Sequence, residues 1–535
     1  MPGEPDTVLF TLRNGWRPVA HGLWAGMAAG DESSVRRILE RLPADGSAPD
    51  VGFEDGLARV GDGFFALAAQ SPAAALACVD KTRSWPLFHA GEGGGLTVGN
   101  DARALAAAAG LTEVDSLSAL ELAMAGYVTG PDTLRVGLRQ FQAGECLVQD
   151  RVAGRSRAFR YYCYDPRPKE APEEDLMAGL AAATREACAK ALALAGDRPV
   201  WVPLSGGLDS RLILAMFVEL GFPRLQAFSY GLPGNHEARI ARKVARRLGV
   251  PWMFHPVRRA SARDWFRSPE RRAYWEFSDG LCVVPFMQDA QVLGELLASG
   301  RMPRDAVVVN GQSGDYITGG HLPKVLAAGG GDQESLFAAM EAKHFALWTQ
   351  LRTGPNRERL RAKARGLLGL EPGQAGDMAA LHERWEWQER QSKYVIGGQR
   401  AYDFHGLAWD MPLWRDEYLR FWAGVPYRLK AGQALYRAWL TRWDPRGLFT
   451  SISTRVWRWP GWTMAVPALA QVVGLLGGRR RKESFYKYFK YIGHNADKYA
   501  AYSYRCYRTE MDRARNPLAL FARTWLEENA DGLPQ

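Results

Sequence analysis

Two rhythms of apolar and polar positions run along the chain, and they change over near residue 165. Before it, short apolar runs separated by glycine recur: GDGFFALAAQ at 61–70, AALACVD at 74–80, PLFHA at 86–90 and GLTVGND at 95–101. Runs of this length, bounded by turn residues, predict short β-strands joined by tight turns. VGLRQFQAGECLVQD at 136–150 predicts a strand pair turning at Ala143-Gly144. Pro166, Pro168 and Pro172 then crowd one short link. Proline breaks both helices and ladders, so the link marks a boundary between units at 1–165 and 173–535.

Past the link the period lengthens. EEDLMAGLAAATREACAKALALAG at 173–196 has helical spacing and strong helix formers. RPVWVPL (198–204) reads as a buried strand, SRLILAMFVELG (210–221) as a helix and LQAFSYG (225–231) as a second strand. HEARIARKVARRLGV (236–250) is a helix ending in glycine, WMFHPV (252–257) follows it, and DAVVVNG (305–311) is a further strand. Strand and helix in alternation predict an α/β fold with a doubly wound parallel sheet. From about 330 onward the pattern is helical and rich in tryptophan, with no repeat of fixed period.

The chemistry concentrates in SGGLDSR, Ser205 to Arg211, where a strand passes into a helix. Glycines let backbone approach a phosphate closely, and a helix start aims free N–H groups at it. Ser205 and Ser210 add hydroxyls. Asp209 would repel a bare phosphate, which argues for a bridging Mg²⁺. The loop lacks the Gly-Lys-Ser/Thr of a Walker A motif and the spacing of a dinucleotide fingerprint. A chance Gly-Gly turn with serine caps is the alternative; the strand–loop–helix setting argues against it.

SGGLDS resembles the pyrophosphate loop of ATP-pyrophosphatases, and three further segments narrow the resemblance to the asparagine synthetase group. FSYGLPGNHEARIARKVARRLGVPW (228–252) is similar to the family's second strand, glycine turn and helix, with Tyr230 and Gly231 where the strand end meets adenosine. VNGQSGDYITGGH (309–321) resembles its G-E-G-S-D-E-x-x-G-G-Y loop, with Asp315 on the aspartate. HGLAWDMPLWRDEYLRFWAGVPYRLKAGQALYRAWL (405–440) is similar to its C-terminal helical pattern. In the first third, VDKTRSWPLFH (79–89) and GYVTGPDTLRVGLRQFQAGECL (126–147) resemble its amidotransferase-like domain.

The resemblance implies a β-rich α+β, Ntn-hydrolase-like unit at 1–165 and an adenylating unit at 173–535. It implies ATP held by Pro203, Leu204, Ser205, Gly206, Gly207, Asp209, Ser210, Tyr230, Gly231, Asn310 and Gly311, and Mg²⁺ held by Asp209 and Asp315. Asp209, Asp315 and Gln312 would be the catalytic set. Three departures matter. The family's glutaminase needs an exposed N-terminal cysteine; here the sequence begins Met1-Pro2-Gly3 and Cys78 is the first cysteine, so glutamine hydrolysis is not expected. The loop glutamate is Gln312, which cannot take a proton at neutral pH. No clear match exists for a late lysine, leaving Arg455 or Arg458 as cations, and arginine is a poor proton donor.

Composition adds limits. The six cysteines show no zinc spacing and fit a reducing cytoplasm. The sequence start shows no secretory pattern. The net charge of +10 gathers late, in Arg479, Arg480, Arg481, Lys482, Lys487 and Lys490, interleaved with Phe485, Tyr486, Tyr488, Phe489 and Tyr491. Such a run suits RNA or anionic lipid, against a solvated helix with packed aromatics. WTMAVPALAQVVGLLGG, from Trp462 to Gly478, is short for a membrane span; it reads as a buried helix, with peripheral membrane contact through 462–482 as the alternative. His236 and His321 flank the expected site, and Glu237 either touches substrate or caps its helix.

The leading reading is therefore an ATP-dependent ligase. It adenylates a small-molecule or peptide carboxylate and passes the acyl group to ammonia or a substrate amine, in surface-polysaccharide or peptide natural-product chemistry. The alternatives are a tRNA-modifying ATP-pyrophosphatase, for which the acidic first third makes nucleic acid a poor partner, and a non-catalytic ATP-binding scaffold.

Overall fold

A computed structural model of the chain describes residues 15–60, 63–91, 96–454, 465–493, 501–510 and 512–534. Met1-Pro2-Gly3, Arg455, Arg458 and the first residues of the late apolar stretch lie outside these.

The first third builds two antiparallel sheets. Six strands, Trp16–His21, Trp24–Gly30, Phe65–Gln70, Ala74–Val79, Glu145–Asp150 and Arg155–Arg160, pair in that order. Three short ones, Thr97–Gly99, Phe88–Ala90 and Leu138–Gln140, form a second sheet with Phe88–Ala90 at its centre. Each expected run from 61 to 101 contains a strand. The expected pair within 136–150 is corrected. Leu138–Gln140 pairs with Phe88–Ala90, whereas Glu145–Asp150 joins Ala74–Val79 in the other sheet. Gly144 makes the crossing, at φ 69°, with a would-be Cβ 2.6 Å from the Tyr162 carbonyl oxygen. Only glycine fits so close a backbone approach.

The second sheet system is parallel throughout, in the order Trp252–Pro256, Leu225–Gly231, Val200–Pro203, Val307–Val309, Ala408–Asp410. Val200, Val202 and all of Val307–Val309 are buried, as expected for strands covered on both faces. The stretch 405–440, similar to a helical pattern, also holds the strand Ala408–Asp410. Three residues of strand between a turn at Gly406 and Pro412 carry too little periodicity to announce themselves. Successive strands step outward in one direction from Val200–Pro203 and in the other from Val307–Val309. The chain thus reverses direction across the sheet between these two neighbours, and a crevice opens at their carboxyl ends.

One continuous core joins the three-stranded sheet, the parallel sheet and the C-terminal helices, from Trp16 to Leu526. Among the described residues no helix is long and apolar enough to cross a membrane. The helix Val466–Gly493 is interrupted at Gly478 (φ 75°, ψ 175°). Its first half is not the buried helix expected from composition. Val466 and Ala470 are buried, but Leu469 and Val472 are half exposed, and Leu475 and Leu476 are 86% and 82% exposed. The aromatic residues of the basic run do pack: Tyr491 lies 5.5 and 5.2 Å, ring to ring, from Tyr504 and Tyr507, and Tyr488 lies 5.1 Å from Tyr504.

Candidate active site

Both loops that leave the two central strands end in the crevice. The first is Ser205–Ser210. Ser205 Oγ accepts from the Gly207 N–H at 3.1 Å and lies 3.1 Å from Ser210 Oγ, which accepts from the Ser205 N–H at 3.1 Å. These bonds close the loop on itself at the start of the helix Asp209–Glu219. Arg211, buried in that helix, donates to the carbonyls of Leu448 (2.7 Å), Ile452 (2.9 Å) and Gly206 (3.1 Å). It ties the loop to the chain just before residue 455, a role the sequence did not announce. Pro203 ends the strand, and Leu204 donates its N–H to the Phe228 carbonyl at 2.8 Å.

The second loop, Asn310–Asp315, packs directly on the first. A Cβ on Gly314 would sit 2.4 Å from Asp209 Cγ, and one on Gly311 would sit 2.8 Å from the Asp209 carbonyl carbon. No side chain fits in either gap, so glycine at both positions sets the spacing of the two loops. The contact places Asp315 beside Asp209, close enough for the Asp315 charge and backbone to act on the Asp209 carboxylate. Tyr436 donates to Asp209 Oδ1 at 2.8 Å. Burial, then the Asp315 charge, push the Asp209 carboxyl up to about 7, against the Tyr436 bond and nearby Arg437.

Asp315 is exposed but well supported. Water lost to the neighbouring protein works to raise its carboxyl, yet His321, with Arg390 and Lys343, outweighs this and holds the carboxyl below its ordinary value. His321 bridges Asp315 Oδ2 (3.0 Å) and Glu386 Oε1 (2.9 Å), so it locks the aspartate from behind. Glu386 is fully buried and also meets Lys343 (3.3 Å), His344 (3.0 Å), Arg390 (3.2 Å) and Gln391 (2.8 Å). His344, His382 and Glu386 bring potential ligand atoms within 4.8 Å of one another. Lys343 and Arg390 already match the charge of the one carboxylate there, which opposes a dication.

Gln312 lies against a second layer. Gln399 Nε2 donates to Gln312 Oε1 at 2.5 Å, Trp414 donates to the Gln312 carbonyl at 3.0 Å, and the Gln312 N–H donates to Asn310 Oδ1 at 3.1 Å. Gly398 makes room, its would-be Cβ lying 2.7 Å from Gln312 Nε2. Tyr230 and Gly231 end their strand as expected. The Tyr230 phenol donates to Asp289, which also accepts from Tyr402, and Asn310 Nδ2 donates to Tyr402 at 3.3 Å. The outer site residues are therefore wired to the Asn310 loop. His236 and Glu237 open the helix His236–Leu248, but Asn235 caps it, accepting from the Ala238 N–H at 2.7 Å.

Beside Tyr230 and Gly231 a cavity of about 470 Å³ opens. Trp265, Phe266, Phe286 and Phe521 give it an aromatic wall, and Arg390 enters it as a cation. None of these was legible as site-forming, because they come from four separated segments.

A sequence model described as asparagine synthase matches residues 180–451. No curated protein sequence matches the chain.

Proposed function

The chain belongs to the asparagine synthase family, and from that premise we propose that it is an ATP-dependent, amide-forming ligase that releases AMP and pyrophosphate. The observation that carries this reading is the packing of the Gly311–Asp315 loop on the Ser205–Ser210 loop, which sets Asp209 and Asp315 side by side at the chain reversal of a parallel sheet. Two carboxylates held together, one pushed up to about 7, are a pair that a dication would relieve. In this reading Asp209 and Asp315 hold Mg²⁺, which neutralises charge on the ATP phosphates when bound.

A substrate carboxylate oxygen bonds to the α-phosphorus as the bond to the pyrophosphate oxygen breaks. Donors of the Ser205–Ser210 loop hold the leaving pyrophosphate. Pro203, Leu204, Tyr230, Gly231, Asn310 and Gly311 frame the nucleoside. The nitrogen of ammonia or of a substrate amine then bonds to the acyl carbon, AMP leaves and the amine gives up a proton. Gln312 positions a substrate group, since an amide cannot take that proton.

The cavity beside Tyr230 supports a carboxylate much larger than aspartate, because its volume falls in the ~300–1,000 Å³ range of pockets for drug-sized ligands. Arg390 suits an anionic handle on that substrate. The first third is read as an amidotransferase-like unit without glutaminase activity. Cys78 and Cys146, on paired strands, are fully buried, and burial holds the Cys146 thiol well above its ordinary range. A thiol of that kind is no nucleophile. The tRNA reading rests in part on the basic tail; there Tyr488 and Tyr491 pack against Tyr504 and Tyr507, which favours packed aromatics over a platform for stacked bases.

The test is the nucleotide product. Incubation with Mg²⁺, ammonia and a panel of bulky carboxylates is expected to convert ATP to AMP and pyrophosphate with at least one acid. ADP and phosphate as the main products would overturn the reading.

A further inference from the structure

The helix Val466–Gly493 doubles back on itself. Were it continuous, Gly474 and Lys482 would stand about 12 Å apart along the axis at ~1.5 Å per residue. Instead a Cβ on Gly474 would lie 3.4 Å from Lys482 Cβ, and the Lys482 ammonium donates to Gln471 Oε1 at 2.8 Å. Gly478, in a left-handed conformation, makes the reversal. Gly474 and Gly477 lie where the returning arm presses closest, against Lys482 and Arg481. The result is a helical hairpin. Its feet are buried at Val466, Ala470 and Tyr491, and exposure rises toward the reversal.

At the tip, Leu475 and Leu476 project into solvent at 86% and 82% exposure. Arg479, Arg480 and Arg481 follow directly and are exposed as well. Arg479 pairs with Glu483 at 2.9 Å, so the run from Arg479 to Glu483 keeps a formal charge of +3 (four cations, one anion). Two adjacent exposed leucines are unfavourable in water and need a cover. A cover of protein would meet a dense positive collar at its edge. An anionic bilayer satisfies both parts, taking the leucines into its acyl boundary while its headgroups meet the arginines.

We propose that the hairpin tip, Leu475 to Lys482, is a peripheral anchor for an anionic membrane surface. The arms reach the bilayer without spanning it, and the body of the protein stays in water. The anchor is independent of the ligase reading, because it uses no residue of the candidate active site.

Vesicle flotation of the full chain tests it. The wild type is expected to float with phosphatidylglycerol-containing vesicles, to stay behind with pure phosphatidylcholine and to be released by salt. Leu475→Asp/Leu476→Asp and, separately, Arg480→Glu/Arg481→Glu should each weaken partitioning on the order of tenfold or more. All four positions are exposed, so unchanged circular dichroism and melting are expected for both variants. Three results would overturn the proposal: no binding to anionic vesicles, binding that survives both double variants, or a wild-type dimer that Leu475→Asp/Leu476→Asp converts to monomer. The last would assign the tip to a second copy of the chain.

Discussion

Asp209 carries the sharpest residue-level consequence. Its folded carboxyl titrates near 7, above its ordinary value of 3.8. The folded state therefore keeps this proton longer than the unfolded chain does, and stability falls as pH rises from about 4 to about 7. Each tenfold difference in proton affinity is worth about 1.4 kcal/mol, so the cost above neutrality is on the order of a few kcal/mol. Asp209→Asn removes the charge and keeps an oxygen for Tyr436. Without Mg²⁺ this variant is expected to melt higher than wild type at pH 8, with the gap closing at pH 4–5, while adenylation drops by about a hundredfold or more. Melting curves across pH and a pyrophosphate-release assay check both halves. His321 acts one step behind. Because it ties Asp315 to the buried Glu386, His321→Ala should weaken apparent Mg²⁺ affinity roughly 10–100-fold, read from the Mg²⁺ dependence of turnover; an unchanged dependence would remove His321 from the site. The sequence exposed Asp209 and Asp315 because loop motifs are local. It marks His321 only as a flanking residue and Arg211 only as the end of its motif, and it leaves Gln399 and Tyr436 unannounced, because both reach the site from a distance in sequence.

At the scale of elements, the decisive contact is loop against loop. Gly314→Ala would put a Cβ 2.4 Å from Asp209 Cγ, backed by Leu413 at 2.7 Å. The backbone at Gly314 needs no left-handed conformation, so the effect is one of space alone. The loops must part, and a displacement of about 1 Å between catalytic groups costs on the order of a hundredfold in rate. The fold should persist, since the strands below are untouched; steady-state kinetics beside circular dichroism separates the two. The four elements from residue 198 to 250 were legible because they alternate period and end on or beside glycine or proline, whereas WMFHPV was not read as the strand Trp252–Pro256. Three other strands were missed or mispaired. Ala408–Asp410 is too short to show a period, and the strands at 138–140 and 145–150 look like a hairpin locally, although long-range partners pull them into different sheets. The helix at 466–477 misled for a different reason: apolar composition says nothing about whether a partner is present to bury it.

At the scale of the whole molecule, buried polar links join the first third to the rest. Lys393, fully buried, pairs with Glu389 at 2.6 Å and donates to the carbonyls of Gly130 (2.7 Å) and Val128 (3.2 Å), while Glu389 accepts from the Gly130 N–H at 2.7 Å. Lys393→Ala strands the Glu389 charge in the interior, a loss expected to cost about 3–5 kcal/mol. Denaturant unfolding should report it as an earlier midpoint for the first third and the parallel sheet together. Loss of the first third alone would show that the two sheet systems unfold separately.

The packing of the helix Ser116–Ala125 against the helix Pro517–Asn529 has a price in time. Every residue of the earlier helix from Ser118 to Ala125 is buried, yet its cover is translated about 390 residues later. At ~5–20 residues per second, the ribosome leaves that apolar surface uncovered for roughly 20 to 80 seconds. Nascent chains stalled before Pro517 are therefore expected to stay bound to chaperones, and release should coincide with emergence of the final helix from the exit tunnel.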